Sequence, residues 1–496
     1  MLTGLTVAVV VTGLAVRLAA ALAYRGVIYP DETYQMTEPA HHLVFGYGIT
    51  AWEFRMGTRS WLGPGLLLPP TLLWRWLGLD GVDGPGLVRA WVALGTGLGI
   101  AAAALLARRL AGAGAGLLAA VLVAFSPLGA VFEVHPFADT VAAPLVVTAV
   151  ALLTVRRRTS MAAAVAGVLL VAALVLRPQL LPVLLAVGLA TVLGAGWARA
   201  RPLAFGVAGG LLAGAVLDVL TWGVPFAPLW RSFAFNVVDN GASRYGQSAW
   251  STYLTSILRV DGPVLALVLT AGLLLACRRP RGTEQGRDPV VPAVLVAGLG
   301  AFLVVLSAIG HKELRFLVPA LPLAGALAAV GLGRWLPVGL RVLARRRAAL
   351  APRPGVAVGA LAALSATAAL LLLPGLTMAD LNYPWPRGSA WRSDDTTPRL
   401  LGEVGRLPGV CGVVVFSERL SWTGGYTALH RDVSFGVIYR ARTLGSAGAW
   451  ANVVVTSAAK GLPAGYRPVA AEGDQVAGQR AGGCAPPPAS VAHRWI

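Results

Sequence analysis

Two apolar runs, at residues 289–310 and 317–332, are separated by His311-Lys312-Glu313-Leu314-Arg315-Phe316. Ionisable side chains at a membrane boundary cost free energy and are usually retained for a function. The lysine is unusual, because only two of the 41 basic residues are lysines, Lys312 and Lys460. On a helix, His311 and Arg315 would lie one turn apart and present a cationic cluster. Such a cluster suits a phosphate group at a membrane surface, so the string predicts a phosphate-binding site between two spans.

The composition is that of a membrane protein. Of 496 residues, 56% are hydrophobic and only 13% are charged, whereas a soluble protein carries about 25% charged residues. Apolar runs of about 20 residues, long enough to cross a bilayer, recur along the chain, and we predict an all-α polytopic membrane protein with about eleven spans. The predicted spans lie near residues 2–24, 86–107, 112–129, 137–155, 160–176, 179–197, 203–222, 262–277, 289–310, 316–333 and 354–375.

The distribution of the net charge of +19 along the chain indicates the membrane topology. Basic clusters fill short links between the apolar runs; they lie at residues 108–109, 156–158, 199–201, 278–287 and 334–353. This is the positive-inside pattern with added contact to anionic membrane lipids, and it argues against a nucleic-acid partner. With an odd number of spans, the N-terminus is expected in the cytoplasm and the C-terminus outside. The first run lacks the features of a cleaved signal peptide and is interpreted as a retained helix.

This topology predicts two domains. The first, residues 1–377, is a transmembrane domain that includes the outer loops 25–85 and 224–261, and the second, residues 378–496, is an extracytoplasmic C-terminal domain. In the first loop, residues 31–45 are predicted to form an amphipathic helix. Residues 61–79 are predicted to form an interfacial or re-entrant helix, with Trp74 and Trp76 as membrane anchors.

The C-terminal domain is predicted to be a small α/β unit. Strand-like runs lie at residues 411–416, 433–440 and 452–456, and Thr397-Pro398 begins a short helix that continues through Arg406. Cys411 and Cys484 both lie in this part. The sequence allows either a disulfide between them or two free thiols. No Cys/His spacing suggests a metal cage, so we expect no metal and no other cofactor.

A second polar site follows the first predicted helix, at Tyr29-Pro30-Asp31-Glu32. One reading is that the two carboxylates are helix N-terminal charges that favour the dipole. The topology places the cationic string on the same side of the membrane as these carboxylates. The two sites together favour a catalytic interpretation. Glycosyl transfer from a sugar phosphate needs a general base for the acceptor hydroxyl and positive groups that stabilise the leaving phosphate. The two sites offer both.

Four other ionisable residues each have two interpretations. Glu133, His135 and Asp139 cluster near the outer end of the third predicted span, where they either line a cavity or are solvated loop residues. Arg177, near a helix end, either reaches a phosphate or extends to the interface.

The chain resembles glycosyltransferase family 22 of the GT-C superfamily, the mannosyltransferases that build lipid-linked oligosaccharides and glycosylphosphatidylinositol anchors. Residues 311–316 match the family's HKExRF motif, and Arg177-Pro178 resembles its intramembrane Arg-Pro. The first loop carries the resemblance through Pro30-Asp31-Glu32, Glu38, His41, residues 43–48, residues 50–55 and Arg59-Ser60. Two positions depart from the family pattern: Tyr29 replaces the more common His, and Arg244 precedes Tyr245-Gly246 in place of the usual FYG. These departures leave the acceptor open.

The resemblance implies a GT-C fold and a polyprenyl-phosphate-sugar donor, usually carrying mannose. It implies inverting transfer to a lipid-linked glycan or glycolipid on the outer face of the cell membrane. It implies that Asp31 is the general base, with Glu32 as the adjacent catalytic carboxylate. The residues implied to bind the donor phosphate are His311, Lys312, Arg315 and Arg177. The other residues implied to bind substrate are Glu313, Glu38, His41, Glu53, Arg59 and Tyr245.

Two alternatives remain at this point. A transporter or flippase of lipid-linked sugar would use the same cations to bind phosphate without reacting, although it should show inverted repeats and broken helices that the sequence does not indicate. A GT-C enzyme could also use another sugar, such as arabinose. The arginine-rich, lysine-poor usage suggests a GC-rich bacterial source, where such donors occur.

Overall fold

The computed structural model describes the chain except residues 25, 155–159, 279–289, 347–353, 382–389, 391–395, 417, 441–443 and 488–496. The basic links predicted at residues 156–158, 278–287 and 334–353 therefore lie partly or wholly outside the described residues. The α-helices are α1 Leu2–Ala23, α2 Pro30–Glu32, α3 Glu38–Phe45, α4 Trp52–Arg55, α5 Leu62–Leu66, α6 Leu68–Leu77, α7 Gly84–Ala111, α8 Ala113–Ala124, α9 Pro127–Phe132, α10 Ala138–Leu153, α11 Ser160–Leu176, α12 Leu181–Ala195, α13 Trp197–Trp222, α14 Ala227–Phe233, α15 Thr252–Val260, α16 Gly262–Ala276, α17 Val290–Ala308, α18 Leu321–Arg346, α19 Pro354–Leu372, α20 Thr396–Arg406, α21 Gly425–Leu429 and α22 Leu444–Trp450. The strands are β1 Gly412–Phe416, β2 Ser434–Ile438, β3 Val453–Ser457, β4 Arg467–Glu472 and β5 Gln475–Gln479.

A helix occupies each of the eleven predicted spans, but they differ in length. Among the described residues, seven helical segments are long and apolar enough to cross a membrane, and α15 with α16, bent by 119°, makes an eighth. Helices α8, α10 and α11 are apolar but shorter. The 12 residues of α8 extend about 18 Å at about 1.5 Å per residue, which is less than a bilayer. The chain thus combines full spans with broken ones.

Contacts between Cα atoms divide the chain into two compact units. The first unit comprises Met1–Leu18, Val92–Val134 and Ala138–Ala390, and the second comprises Ala19–Trp91, His135–Phe137 and Trp391–Ile496. In this division the first outer loop groups with the C-terminal segment. The reason is a set of long-range hydrogen bonds, described below, that sequence periodicity does not encode.

The first unit is a helical bundle whose packing depends on small side chains. Its core includes residues from α8, α16, α18 and α19, many of them alanines. At the crossing of α16 and α18, a Cβ atom on Gly331 would lie 1.9 Å from the carbonyl oxygen of Gly272. Only glycine permits this backbone approach, which is the close packing typical of membrane helices.

A buried arginine stabilises the break between α8 and α9. Arg17 of α1 donates to the carbonyl oxygens of Val123 and Ala124 at 3.1 and 3.0 Å, where α8 ends. Its guanidinium also pairs with Glu133 after α9. The Ser126 hydroxyl caps α9 by accepting from the Gly129 amide at 3.1 Å. Because carbonyls at an interrupted helix end need partners, Arg17 allows the chain to turn inside the bundle.

The second unit contains the first outer loop and a five-stranded sheet of order β2-β1-β3-β5-β4. Strands β1, β2 and β3 are parallel, and β4 and β5 are antiparallel additions. The valines of β1 and β3 are buried, as expected for central parallel strands. The three predicted strands and the helix starting near Thr397 are present, whereas β4 and β5 were not predicted. Cys411 and Cys484 form a disulfide, which settles the alternative left open by the sequence.

The first loop departs from its predicted form in two ways. The predicted helix over residues 31–45 is divided into α2, a π-helical turn at Thr33–Thr37 and α3. Of the two predicted membrane anchors, Trp76 is 80% exposed but Trp74 is fully buried, so the prediction for Trp74 is wrong. Its indole N–H donates to the carbonyl oxygen of Leu79 at 2.9 Å, and its ring packs against His41 and His430.

Candidate active site

The acidic segment begins where α1 ends. Arg89 of α7 donates to the carbonyl oxygens of Ala21 and Tyr24 at 3.3 and 2.7 Å, which caps the end of α1. The chain then turns, and Pro30 begins α2 with Asp31 and Glu32 in its first turn. Asp31 is partly exposed, whereas Glu32 is buried. Of the two predicted catalytic carboxylates, Asp31 is thus the more accessible.

Glu32 has partners for both carboxylate oxygens. Its Oε1 atom accepts from the Ile28 amide at 2.6 Å, and its Oε2 atom contacts Nδ1 of His135 at 2.7 Å. The hydroxyl of Thr37 donates to the backbone carbonyl of Glu32 at 2.6 Å. Glu32 therefore connects the turn before α2, through Ile28, with His135, which lies in the link between α9 and α10.

Glu53 lies within electrostatic range of Asp31. Burial raises the pKa of Glu53, the charge of Asp31 raises it further, and the charge of Arg59 lowers it. The amide of Gln35 donates to Glu53 Oε1 at 2.8 Å. The structure thus places Asp31 and Arg59 within electrostatic range of Glu53.

Glu38 and His41 bind other parts of the protein. The Glu38 carboxylate accepts the backbone N–H groups of Ile49, Tyr426 and Thr427, each at 2.9 Å. His41 Nδ1 contacts the Tyr47 carbonyl at 3.1 Å, and its Nε2 contacts Nδ1 of His430 at 3.0 Å. Both side chains are fully buried, so in the structure they join the first loop to the C-terminal segment.

Acid should weaken this junction through His41. Burial, then the charges of His430 and His42, lower the pKa of His41 to about 3, against an ordinary value of 6.5. Because the folded pKa lies below the unfolded one, the stability that neutral His41 provides is present above pH 6.5 and declines as the pH falls towards 3. Glu38 acts in the opposite sense. Burial raises its pKa to about 7, so its contribution declines as the pH rises from about 4.5 to 7.

Replacing His41 should isolate its contribution. His41→Gln is expected to be less stable than wild type at pH 7, with a gap that narrows by up to about 1.4 kcal/mol per pH unit below 6.5. Thermal unfolding in detergent, measured between pH 7.5 and 4.5, checks this. His42→Gln, on the same helix but partly exposed, is the control. A gap that stays constant with pH would contradict the prediction.

The cationic string forms no α-helical turn, contrary to the spacing argument. Glu313 has extended backbone angles, and a 3₁₀ helix runs over Leu314–Ala320. The cluster nevertheless forms through side chains. Glu313 accepts from His311 Nε2 at 2.9 Å and from the Nε atom of Arg315. Burial raises the pKa of Glu313, but the Arg315 and His311 charges outweigh this effect and bring its pKa below the ordinary value.

Lys312 is buried and contacts three backbone carbonyls. Its ammonium donates to Ile309 at 2.6 Å, to Ser248 at 3.1 Å and to Gly310 at 3.5 Å. Ile309 and Gly310 follow the end of α17, and Ser248 belongs to the second outer loop. Lys312 therefore fixes that loop to the cationic string.

Arg177 and Arg315 share one carboxylate. Asp139, at the start of α10, pairs with Arg177 and, at 3.3 Å, with Arg315. The Phe316 ring lies 5.5 Å from the Arg177 guanidinium and 5.0 Å from that of Arg315. Arg177 adopts an extended conformation after α11, as expected for a residue before proline. The structure thus brings together the residues predicted to bind phosphate.

The sequence left Asp139 with two interpretations, cavity-lining or solvated, and did not place it among the phosphate-binding residues. The available signal was the spacing of Glu133, His135 and Asp139 around a helix break, the same kind of signal that marked residues 311–316. Tyr245, which the resemblance implied, is 55% exposed, and its ring lies 5.9 Å from that of His311.

The electrostatic balance of this cluster favours an anion. Three cations, Arg177, Lys312 and Arg315, stand against two carboxylates, Asp139 and Glu313. His311 and Glu313 retain some exposure, so the cluster is open on that side. Among the described residues, no group of three His, Cys, Asp or Glu side chains is placed to bind a metal ion. A phosphate is an anion whose geometry suits paired guanidinium groups.

Comparison with known sequences identifies relatives for most of the chain. Residues 8–379 match the Alg9-like mannosyltransferase family. The chain is 31% identical over 341 residues to GPI mannosyltransferase 3 of Yarrowia lipolytica, an alignment that covers 66% of this chain and 62% of the relative. A 54-residue stretch is 46% identical to GPI mannosyltransferase 3 of Drosophila melanogaster and covers 11% of this chain and 10% of that protein. The alignments therefore span less than two thirds of these relatives.

Comparison with solved structures supports the predicted fold. The crystal structure of ArnT from Cupriavidus metallidurans bound to undecaprenyl phosphate superposes with a TM-score of 0.62 at 17% identity. The superposition covers 98% of this chain and all of that one. The apo form of ArnT gives a TM-score of 0.60 at 16% identity, over 96% of this chain and 98% of the other. At such identities the likeness concerns the fold alone, and it confirms the predicted GT-C type architecture.

Proposed function

Since this chain belongs to the Alg9-like mannosyltransferase family, we propose that it transfers mannose from a polyprenyl-phosphate-mannose donor to a lipid-linked glycan or glycolipid. The transfer takes place on the outer face of the membrane and inverts the configuration at the anomeric carbon. No metal ion takes part, because the cations of the protein stabilise the leaving phosphate.

The observation that carries the proposal is the pair of buried arginines, Arg177 and Arg315, that share Asp139 beside the buried Lys312 of the same string. A donor phosphate enters from the side of His311 and Tyr245 and receives hydrogen bonds from Arg177 and Arg315. The Lys312 ammonium, which donates to three backbone carbonyls, contributes its positive charge and holds the string in place. As the bond from the anomeric carbon to the phosphate oxygen breaks, negative charge grows on the phosphate. Preorganised cations in a site of low dielectric stabilise that charge at little reorganisation cost.

Asp31 acts as the general base. It takes the proton of the acceptor hydroxyl while the acceptor oxygen forms its bond to the anomeric carbon and the phosphate leaves with the bonding electrons. This assignment is supported by the partial exposure of Asp31 and by the burial of Glu32, both of whose carboxylate oxygens have partners. Asp31 and Arg59 both lie within electrostatic range of the buried Glu53.

The direct test is transfer by the purified protein. We expect it to move labelled mannose from polyprenyl-phosphate-mannose to an extracted acceptor lipid, as resolved by thin-layer chromatography. Polyprenyl-phosphate-arabinose serves as the comparison donor. Preference for arabinose would refute the assignment of the sugar. Donor binding without transfer to any acceptor in a full lipid extract would favour the transporter alternative.

Chelation should leave this reaction intact. Treatment with EDTA is expected to change the transfer rate by less than about twofold, because charge-assisted hydrogen bonds from the arginines and the charge of the lysine can stabilise the phosphate without a divalent ion. The measurement is the initial rate before and after EDTA, with Mg²⁺ added back. Complete loss that Mg²⁺ restores would contradict a reaction without metal and would direct attention to carboxylates such as Asp31.

The proposed topology can be tested with cysteine reporters. The Cys411–Cys484 disulfide supports an extracytoplasmic second unit, since disulfides persist in oxidising compartments. Met56→Cys and Tyr439→Cys, at exposed positions, should react with an impermeant maleimide on intact cells in a Cys277→Ser background. Native Cys277, which is exposed, should react only after permeabilisation. The reverse pattern would place the sites in the cytoplasm.

A further inference from the structure

Glu32 and His135 form a buried pair whose role the proposed reaction leaves open. The exposed fractions are 2% for Glu32 and 1% for His135. The Glu32 Oε2 atom lies 2.7 Å from His135 Nδ1, and its Oε1 atom accepts the Ile28 amide at 2.6 Å. An ionised carboxylate can only accept, so His135 Nδ1 carries the proton in this contact. Both oxygens of Glu32 are therefore engaged below the surface.

These contacts determine the shape of the turn that carries Asp31. The bond to Ile28 joins a side chain to a backbone amide four residues earlier, and Asp31 lies between the two ends of that closed loop. The Arg89 guanidinium fixes the chain before the loop through Tyr24. The Thr37 hydroxyl fixes it afterwards through the carbonyl of Glu32. The backbone on both sides of Asp31 is thus anchored by side-chain hydrogen bonds.

His135 is itself fixed by its surroundings. Its ring meets the Tyr24 ring edge-on, with 4.5 Å between centroids and an interplanar angle of 87°. Phe137 lies on another side, with a centroid separation of 5.9 Å. Because the imidazole is restrained by these two rings, its Nδ1–H points in one direction. The hydrogen bond from this N–H then fixes the orientation of the Glu32 carboxylate.

We infer that His135 and Glu32 are positioning residues that fix Asp31, and that Glu32 is not a second base. The inference rests on the proposed function, because it concerns the orientation of the proposed base. A base must lie about 2.6–3.2 Å from the proton that it accepts, and a displacement of about 1 Å can cost about 10²-fold in rate. The engaged oxygens of Glu32 cannot approach an acceptor hydroxyl, whereas they can determine where Asp31 lies.

Paired substitutions separate positioning from proton transfer. Glutamine at position 32 keeps an oxygen for the Ile28 amide and offers an N–H₂ group to the other tautomer of His135. Asparagine at position 135 places an amide N–H close to the position of Nδ1. We expect Glu32→Gln and His135→Asn to lower kcat by less than about tenfold, and Glu32→Ala and His135→Ala to lower it by about 10²-fold. The KM for the donor should stay within about twofold in all four, because the phosphate-binding residues are unchanged.

A second measurement does not depend on activity. Hydrogen exchange of the Ile28 amide should accelerate in Glu32→Ala and His135→Ala but stay slow in Glu32→Gln and His135→Asn. Two results would overturn the inference: a loss of 10³-fold or more in Glu32→Gln with slow Ile28 exchange, which would make Glu32 the base, or wild-type kcat in His135→Ala. A wild-type protein that transfers no sugar would refute the proposed function instead, and the exchange data would still decide whether the pair holds the turn.

Discussion

The Asp31→Asn variant is expected to lose mannosyl transfer by about 10²–10⁴-fold, the usual contribution of a general base. An amide has nearly the shape of the carboxylate but cannot take a proton from the acceptor hydroxyl. Donor binding should stay unchanged, because the proposed phosphate ligands Arg177, Lys312 and Arg315 keep their partners. The measurements are single-turnover transfer and the affinity for a non-transferable donor analogue.

Asp83→Asn, which alters another acidic residue of the first loop, is the matched control and should transfer normally. The two variants should share the same thermal midpoint. Near-normal turnover in Asp31→Asn would show that Asp31 is not the base. In that case Glu53, which lies within electrostatic range of Asp31, would be the next carboxylate to substitute.

The second large effect is expected at Lys312. Lys312→Arg should lower transfer and weaken donor binding by about 10- to 150-fold, the equivalent of about 1.5–3 kcal/mol for one charge-assisted hydrogen bond. The charge is preserved, but a planar guanidinium cannot occupy the place of a compact ammonium. That ammonium contacts carbonyls on both the string and Ser248. The measurements are the KM for the donor, its dissociation constant and kcat.

The other lysine of the chain supplies the control. The Lys460 ammonium lies 4.8 Å from the centroid of the Phe416 ring, and Lys460→Arg keeps a cation that stacks well on aromatic rings. It should be indistinguishable from wild type. Full activity in Lys312→Ala would show that the string has no part in donor binding.

The sequence predicted most of the helical architecture, because long apolar runs depend only on local composition. It predicted β1, β2 and β3 for a similar reason, since buried parallel strands are continuous apolar runs. Strands β4 and β5 escaped because their exposed, polar residues resemble a loop. The prediction for Trp74 failed because the sequence around it does not show whether its ring faces lipid, as a membrane anchor would, or packs against the distant His430.

The sequence indicated only part of how the candidate site residues are arranged. Residues 311–316 were identified by charge in an apolar context, yet the helical spacing was wrong, since Glu313 is extended. Nothing in the sequence indicated that Arg177 and Arg315 share Asp139. The two arginines lie 38 and 176 positions from Asp139, and a single sequence does not show which distant residues are in contact. The same limit applies to Glu38 and His41. Their family positions imply substrate contact, whereas their partners in the structure are backbone amides, a carbonyl and His430.

The hydrogen bonds from Glu38 to Tyr426 and Thr427 also have a consequence for biosynthesis. Glu38 and Tyr426 are separated by 388 residues. The ribosome needs roughly 20–80 s to synthesise this length of chain at about 5–20 residues per second. Until then, the first outer loop lacks the amides that satisfy the Glu38 carboxylate. A nascent chain can therefore complete its helical bundle while this loop is unfinished. Any activity that depends on the loop would therefore appear only after the C-terminal segment has been synthesised and has folded against it.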